Sequence, residues 1–370
     1  LIFALVVLAL AALPLVMTLL NVRLITTPPL PTTRPAVAIL IPARNEERAI
    51  GRCVEAALAN VQADIEVIVL DDASTDRTSE VVRAIALRDS RLTLAQAPPL
   101  PPGWNGKQHA CSVLASLTDK PFLLFLDADV VLQPEAAARL ASAKGVDLVS
   151  GVPRQEMGGA LERMVVPIIN ALLLGYLPVG MMRRSRQVGL AAGCGQMMMV
   201  RAEAYHRTGG HAGIRRSLHD GLKLPRLFRA AGLRTDLVNG AALATCRMYQ
   251  SPAALWTGFL KNATEGMAKP IALPIWTVLL FGGHVLPWLL LAVDLVSGVS
   301  WPVTGVTALA CVLPLVARTI QSRVAGEPLS TVPLHPLGIL VTLAIQWTAL
   351  ARRRFGRPTE WRGRAYLAEN

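Results

Sequence analysis

With 370 residues, 52% of them hydrophobic, a formal charge of +12 and a mean hydropathy of +0.43, the chain is too apolar for an ordinary soluble enzyme. Its first half is too charged for a pure transporter, so the class that remains is a soluble domain joined to membrane segments. The basic excess suits anionic lipid head groups or a phosphorylated substrate, and no basic helix or aromatic ladder points to nucleic acid.

Residues 1–20, LIFALVVLALAALPLVMTLL, are about one bilayer span long. No A-x-A-like site follows them, so they read as an anchor (1–22) rather than a cleaved signal. A Pro-rich linker (23–35) comes next and cannot be helical. Strand and helix patterns then alternate. Strands are predicted at 36–42, 65–72, 91–97 and 122–130, and helices at 45–60, 74–89, 106–117 and 134–143. In the second helix Ser74 or Asp76 serves as the N-cap. Repeated βα units imply an α/β domain with a doubly wound, mostly parallel sheet. The apolar run 164–182 is interrupted by Pro167 and Pro178 and reads as an interfacial segment. After 270 come apolar stretches at 272–293, 301–317 and 334–350, and then a basic tail.

One leading and three trailing spans put that tail opposite the Arg-bearing linker, against the positive-inside rule. One trailing segment therefore does not cross, and 334–350 is the shortest of the well-formed candidates. Five cysteines (Cys53, Cys111, Cys194, Cys246, Cys311) form no CxxC pair, and six histidines form no HExxH cluster. Free thiols in a reducing compartment are expected, and no zinc site.

In an open α/β sheet, ligands bind at the carboxyl ends of the strands. Four polar clusters lie there: PARNEE (42–47), DDASTD (71–76), PPGWNGK (101–107) and DAD (127–129). In extended chain Asp127 and Asp129 share a face with Cα atoms about 6.5 Å apart. Two carboxylates that close repel unless a cation joins them, and Mg²⁺ characteristically takes one or two carboxylates plus phosphate oxygens. Taken alone, the pair reads equally well as a water-facing turn. Lys107 offers a point charge for phosphate. There is no GxxxxGK[ST] and no GxGxxG, which argues against a Walker loop and a dinucleotide fold. Gly193 and Gly195 are placed to let backbone approach a sugar or acceptor. Met197, Met198 and Met199 read as core filler.

The clusters PARNEE, DDASTD, GWNGK and LDAD, followed by HDGLKLPRLFRAAG (219–232), resemble the family-2 glycosyltransferases over roughly residues 36–250. The flanking anchors, PPGWNGK and the WRGRAY tail look most like the bacterial membrane subgroup associated with carotenoid and hopanoid glycosylation. That resemblance implies a GT-A nucleotide-sugar-binding domain over 36–270, transmembrane segments over 271–351 and a basic cytoplasmic tail at 352–370. It implies an inverting, metal-dependent transferase that uses a nucleotide-diphospho-sugar and Mg²⁺ or Mn²⁺, with a lipid acceptor. The enzyme would sit in the bacterial cytoplasmic membrane as a multi-pass protein, its catalytic domain facing the cytoplasm.

By the same resemblance Ala43 and Glu46 line the nucleoside pocket and Asp71 or Asp72 reads the base. Lys107 lies near the diphosphate, Asp127 faces the ribose and phosphate, and Asp129 is the metal ligand, with Asp127 beside it. The acidic pair that usually precedes the catalytic helix reads His219–Asp220 here. The base role passes to Asp220, and the helper role of the preceding acid is in doubt. The QxxRW of processive synthases is absent, which favours single transfer. Two alternatives remain: a polyprenyl-phosphate sugar transferase, and a non-catalytic membrane protein that binds nucleotide sugars.

Overall fold

The computed structural model describes residues 1–355 together with the short paired strands Thr359–Trp361 and Arg364–Tyr366. Residues 356–358, 362–363 and 367–370 of the basic tail lie outside the described residues. The chain divides into two compact units. One comprises Ile25–Arg154 and Met181–Met248, and the other Leu1–Leu24, Gln155–Gly180 and Tyr249–Asn370.

The first unit is built on a seven-stranded sheet. Its strands are β1 (Ala36–Ala43), β2 (Asp64–Asp71), β3 (Leu92–Gln96), β4 (Phe122–Leu126), β6 (Leu148–Ser150), β8 (Met197–Arg201) and β9 (Thr235–Leu237), in the order β3-β2-β1-β4-β8-β6-β9. All run parallel except β8, which lies antiparallel to both β4 and β6. β5 (Val130–Leu132) leaves this sheet and pairs antiparallel with β10 (Ala244–Cys246). Arg154, the first residue of the two-residue β7 (Arg154–Gln155), ends the unit's first segment.

Continuous apolar runs form the central strands because both faces of the sheet are covered. Val37, Ile39 and Ile41 point into one core with Val67, Val69 and Leu124, while Ala38, Leu40, Ile68 and Leu70 point into the other. Each fully buried Val, Leu or Ile is worth roughly 1.5–3 kcal/mol. Met197 and Met199 join the first core and Met198 the second, so the methionine run is packing material.

Two expected helix starts fall later than the pattern suggested. The helix drawn from residue 45 begins at Ile50, and the one drawn from 74 begins at Thr78. The residues ahead of each are spent on loops. Asp127 and Asp129 also sit differently: β4 ends at Leu126, and both lie in the turn before β5 rather than on one strand face.

The second unit is helical. Ile2–Asn21 and Trp301–Ala325 are long and apolar enough to cross a membrane. The 272–293 stretch forms two helices, Ala272–His284 and Leu286–Val296, bent by 46°, which make a third span if counted as one. Pro287 supplies the cause: it has no N–H for the preceding turn, and its ring clashes with the carbonyl four residues back. The 334–350 stretch forms the helix His335–Arg354, which is not among the candidate spans. The 164–182 stretch is not one span either; it breaks into Ala160–Val165, Ile168–Tyr176 and Val179–Arg184.

Within this unit small residues let helices touch. A Cβ on Gly338 would lie 2.1 Å from the Met164 carbonyl oxygen. Polar side chains also tie the interior of this unit. The Thr18 hydroxyl accepts from Gln321 Nε2 at 2.8 Å. The Asn21 amide donates to the carbonyls of Leu174 and Leu177. Arg318 is fully buried and pairs with Glu327, whose other oxygen accepts from Asn170 Nδ2 at 2.7 Å.

Breaking a buried pair strands the remaining charge at a cost of about 3–5 kcal/mol, whereas replacing both partners by apolar residues is often near neutral. Arg318→Met is therefore expected to lower the melting temperature sharply in detergent, and Arg318→Met combined with Glu327→Met to recover most of the loss. A double variant no more stable than the single would show that the pair is not what matters there.

Candidate active site

Two loops at the carboxyl ends of β1 and β2 are laced together backbone to side chain. Asn45 N donates to Ser74 Oγ at 3.0 Å, and Thr75 N donates back to Asn45 Oδ1 at 2.8 Å. Glu46 N donates to Thr78 Oγ1 at 2.8 Å and Glu47 N to Asp76 Oδ2 at 3.0 Å. Arg77 N donates to Glu47 Oε2 at 3.2 Å. The Arg44 guanidinium reaches the Asp72 carbonyl at 2.5 Å. Asn45 and Ala73 both adopt φ of 53°. That conformation is unusual for an alanine, and such strain concentrates at ligand sites. Asp76 is both a loop tie and a cap: its Oδ2 serves Glu47 N, and its Oδ1 accepts from Thr78 N, the first residue of the helix Thr78–Ala86, at 3.0 Å.

Ala43 is buried at the last position of β1, and Asp71 ends β2. Asp71 uses both oxygens inside its own turn: Oδ1 accepts from Ser74 N at 3.0 Å, and Oδ2 accepts from the Ser79 hydroxyl. Asp72, buried next to it, gives its N–H to the Ala43 carbonyl at 2.8 Å. Asp71 thus has a protein donor on each of its oxygens.

Lys107 stands in the first turn of the helix Gly106–Ala115, which Asn105 caps by accepting from Lys107 N at 3.0 Å. Its ammonium reaches three acceptors: Asp127 Oδ1 at 2.6 Å, Asp220 Oδ2 at 2.9 Å and the Gly195 carbonyl at 3.2 Å. Asp220 opens the helix Asp220–Ala230, and its Oδ1 accepts from Gly221 N at 2.8 Å. Burial pushes the Asp220 carboxyl up, but the Lys107 charge and hydrogen bond outweigh it and hold the group well below the usual carboxylate range. Burial likewise depresses the Lys107 ammonium, and the charges of Asp127 and Asp220 more than reverse that. Lys107, Asp127 and Asp220 are therefore one charged cluster drawn from three distant segments.

Asp129 is placed differently. Its Oδ1 is buried with no hydrogen-bond partner. Burial raises its carboxyl, the charges of Asp127 and Glu46 raise it further, and it is pushed up to about 7 despite a hydrogen bond from Cys246. Glu46, Asp127 and Asp129 thus lie within electrostatic reach of one another. Among the described residues no three His, Cys, Asp or Glu side chains form a metal cage by themselves. An unpartnered, buried carboxylate oxygen beside two like charges nonetheless fits a hard divalent cation that takes its remaining ligands from phosphate and water.

The glycines of GCG have a use the sequence did not reveal. A Cβ on Gly195 would lie 2.0 Å from Asp220 Oδ1, and one on Gly221 would lie 2.8 Å from the Gly193 carbonyl oxygen. The Gly193–Gly195 loop is pressed against the start of the Asp220 helix, so these glycines seat Asp220 rather than open a path for a ligand. Cys246 and Gln196 were not anticipated either. Gln196 accepts from Asp127 N at 2.9 Å through its carbonyl, and its side-chain Nε2 lies 2.9 Å from Cys246 Sγ. Only the closeness of GCGQ to the methionine strand could have hinted at this.

Residues 35–267 match the model of glycosyltransferase-like family 2. Two curated relatives are 4,4'-diaponeurosporenoate glycosyltransferases. The one from Staphylococcus haemolyticus (strain JCSC1435) is 27% identical over 245 residues, covering 65% of this chain and 62% of that one. The one from Staphylococcus aureus (strain USA300) is 27% identical over 263 residues, covering 67% and 66%. The chain thus spans a little under two thirds of the length of these relatives. A mannosyltransferase from Pyrobaculum calidifontis, solved with GDP-Man and Mn²⁺, superposes with a TM-score of 0.51 at 19% identity, covering 94% of this chain and 99% of that one. This likeness carries the GT-A fold.

Gly195→Ala tests the seating of Asp220. The added methyl must displace that carboxylate from Lys107, and a shift of about 1 Å at a reacting group costs on the order of 10²-fold in rate. Glycosyl transfer to a hydroxyl acceptor is expected to fall by about that factor, with the circular dichroism spectrum unchanged. Wild-type turnover would show that the close approach does not set the position of Asp220.

Proposed function

The chain belongs to glycosyltransferase-like family 2, and from that premise we propose that it moves a sugar from a nucleotide-diphospho-sugar to a lipid-soluble acceptor, with inversion at the anomeric carbon. The observation that carries this reading is the Lys107–Asp127–Asp220 cluster beside the unpartnered oxygen of Asp129. It puts a cation-seeking carboxylate, a phosphate-seeking ammonium and an ionised base at one edge of the sheet.

The laced loops present Ala43, Glu46 and Asp71 or Asp72 as a rigid shelf for the nucleoside. Lys107 faces the diphosphate. Bound at Asp129 and Asp127, Mg²⁺ or Mn²⁺ would neutralise charge on the departing diphosphate. Asp220, kept ionised by Lys107, accepts the proton of an acceptor hydroxyl as that oxygen attacks C1. Its helix-start position and its bond to Gly221 N hold it still while it does so.

The same pairing makes Asp220 a weak base, which favours an acceptor oxygen that is already ionised. Relatives named for transfer to diaponeurosporenoate, a name that denotes a carboxylate, support that choice. A polyprenyl phosphate shares this chemistry.

The two apolar helices support attachment to a bacterial cytoplasmic membrane. With the bent pair counted as one span, two trailing crossings return the arginine-rich end of the chain to the side of the Pro-rich linker, as the positive-inside rule asks. On this reading the catalytic unit faces the cytoplasm.

Asp220→Asn is expected to lower transfer to a hydroxyl acceptor by about 10²–10⁴-fold, the range supplied by a positioned base, and Asp129→Asn to lower transfer with either kind of acceptor by weakening the hold on the cation. With a carboxylate acceptor, Asp220→Asn should cost far less than Asp129→Asn. EDTA should abolish transfer and added Mn²⁺ restore it, measured by product mass. Full activity in both variants would overturn the assignment.

A further inference from the structure

An ammonium group has three N–H donors, and at Lys107 three protein acceptors take them: Asp127 Oδ1, Asp220 Oδ2 and the Gly195 carbonyl. A phosphate oxygen can reach Lys107 only if one of these bonds is given up. The Gly195 carbonyl belongs to the loop pressed against Asp220, where there is no room even for a methyl group. Asp220 is itself pinned by Gly221 N, and its side chain is 11% exposed. Asp127 is 29% exposed and sits on a turn. The Asp127 bond is therefore the one that can yield, and Asp127 is also the carboxylate nearest in sequence to Asp129.

We propose that Lys107 and a divalent cation compete for Asp127, so that cation binding and transfer of Lys107 from Asp127 to the donor diphosphate are a single exchange. This rests on the sugar-nucleotide reading above and adds an order to it. A cation arriving alone meets an ammonium already seated on one of its carboxylates. A diphosphate arriving alone meets the charges of Asp127, Asp129 and Glu46. Arriving together, they pair the charges of the cluster: the cation with Asp127, Asp129 and phosphate, and Lys107 with Asp220 and phosphate. Lys107 is on this account a positioning residue that couples the two arrivals, in addition to its own phosphate contact.

The experiment titrates Mn²⁺ into the full chain in detergent, following free Mn²⁺ by electron paramagnetic resonance, with UDP and GDP as nucleotide probes. Without nucleotide, Lys107→Met should bind Mn²⁺ at least about tenfold more tightly than wild type, the scale of one charge-assisted hydrogen bond removed. Nucleotide should then tighten Mn²⁺ binding far less in Lys107→Met than in wild type. Equal nucleotide-free affinities would overturn the exchange.

A reciprocal variant covers the case in which Lys107→Met does not fold. Asp127→Asn weakens the hold on Lys107, so in EDTA it should bind UDP or GDP several-fold more tightly than wild type. Adding Lys107→Met should cancel that gain. No gain in Asp127→Asn, or a gain that survives the second change, would also overturn the proposal. Asp129→Asn separates the two levels: Mn²⁺ binding indifferent to it would sink the metal site of the proposed function, whereas loss of Mn²⁺ binding there leaves only the exchange under test.

Discussion

Like charges gathered at the end of an apolar strand set the problem that the rest of the catalytic unit solves. Asp127 and Asp129 follow a strand whose last four residues are buried, Asp220 comes in from a helix start, and Glu46 lies within electrostatic reach. Unpaired, such groups cost several kcal/mol each to bury. The fold answers unevenly. Lys107 bonds Asp127 and Asp220 together, and Asp129 is left with its carboxyl raised to about 7 and one oxygen unpartnered. One half of the cluster is settled by the protein, and the other half is held ready for something the protein does not supply.

That unevenness depends on precise placement, and the placement comes from backbone more than from side-chain packing. Lys107 is set by an asparagine cap at the start of its helix. Asp127 is set by its N–H bond to the Gln196 carbonyl, and Asp220 by a loop whose glycines leave room for nothing else. The proposed nucleoside shelf is built likewise from reciprocal loop bonds between Asn45–Glu47 and Ser74–Thr78. Each tie is short-ranged and directional, so it transmits strand geometry to the site with little slack. The apolar sheet beneath supplies the rigidity that these ties report.

What was legible in the sequence follows the same division. The apolar runs of β1, β2 and β4 announced themselves, because strands buried on both faces tolerate nothing else. The polar clusters at their ends were legible through that frame. The helix starts were not: residues 45–49 and 74–77 precede the helices, and their side chains and N–H groups serve bonds between two loops about 30 residues apart, which periodicity does not encode. The same holds for Gly195 and Asp220. They are 25 positions apart, and only the fold shows that the space for one is defined by the other. Asp127 and Asp129 were placed on an extended strand because the flanking residues are apolar. The chain instead turns at Asp127 to leave one sheet and enter another at Val130.

The helical unit follows a different rule because apolar burial has less to decide there. On the membrane reading proposed above, helices whose outer faces carry Leu5, Val6, Val16, Leu309, Val312 and Val316 gain little from hiding leucines against leucines. Register must then come from close backbone approach and from polar pairs. Both are present, in Gly338 against Met164 and in the Arg318–Glu327–Asn170 chain. A buried arginine in such a helix is costly enough that its partner cannot be incidental. The polar interior therefore does for this unit what the apolar sheet does for the other: it selects one arrangement from several that hydrophobicity alone would leave nearly equal.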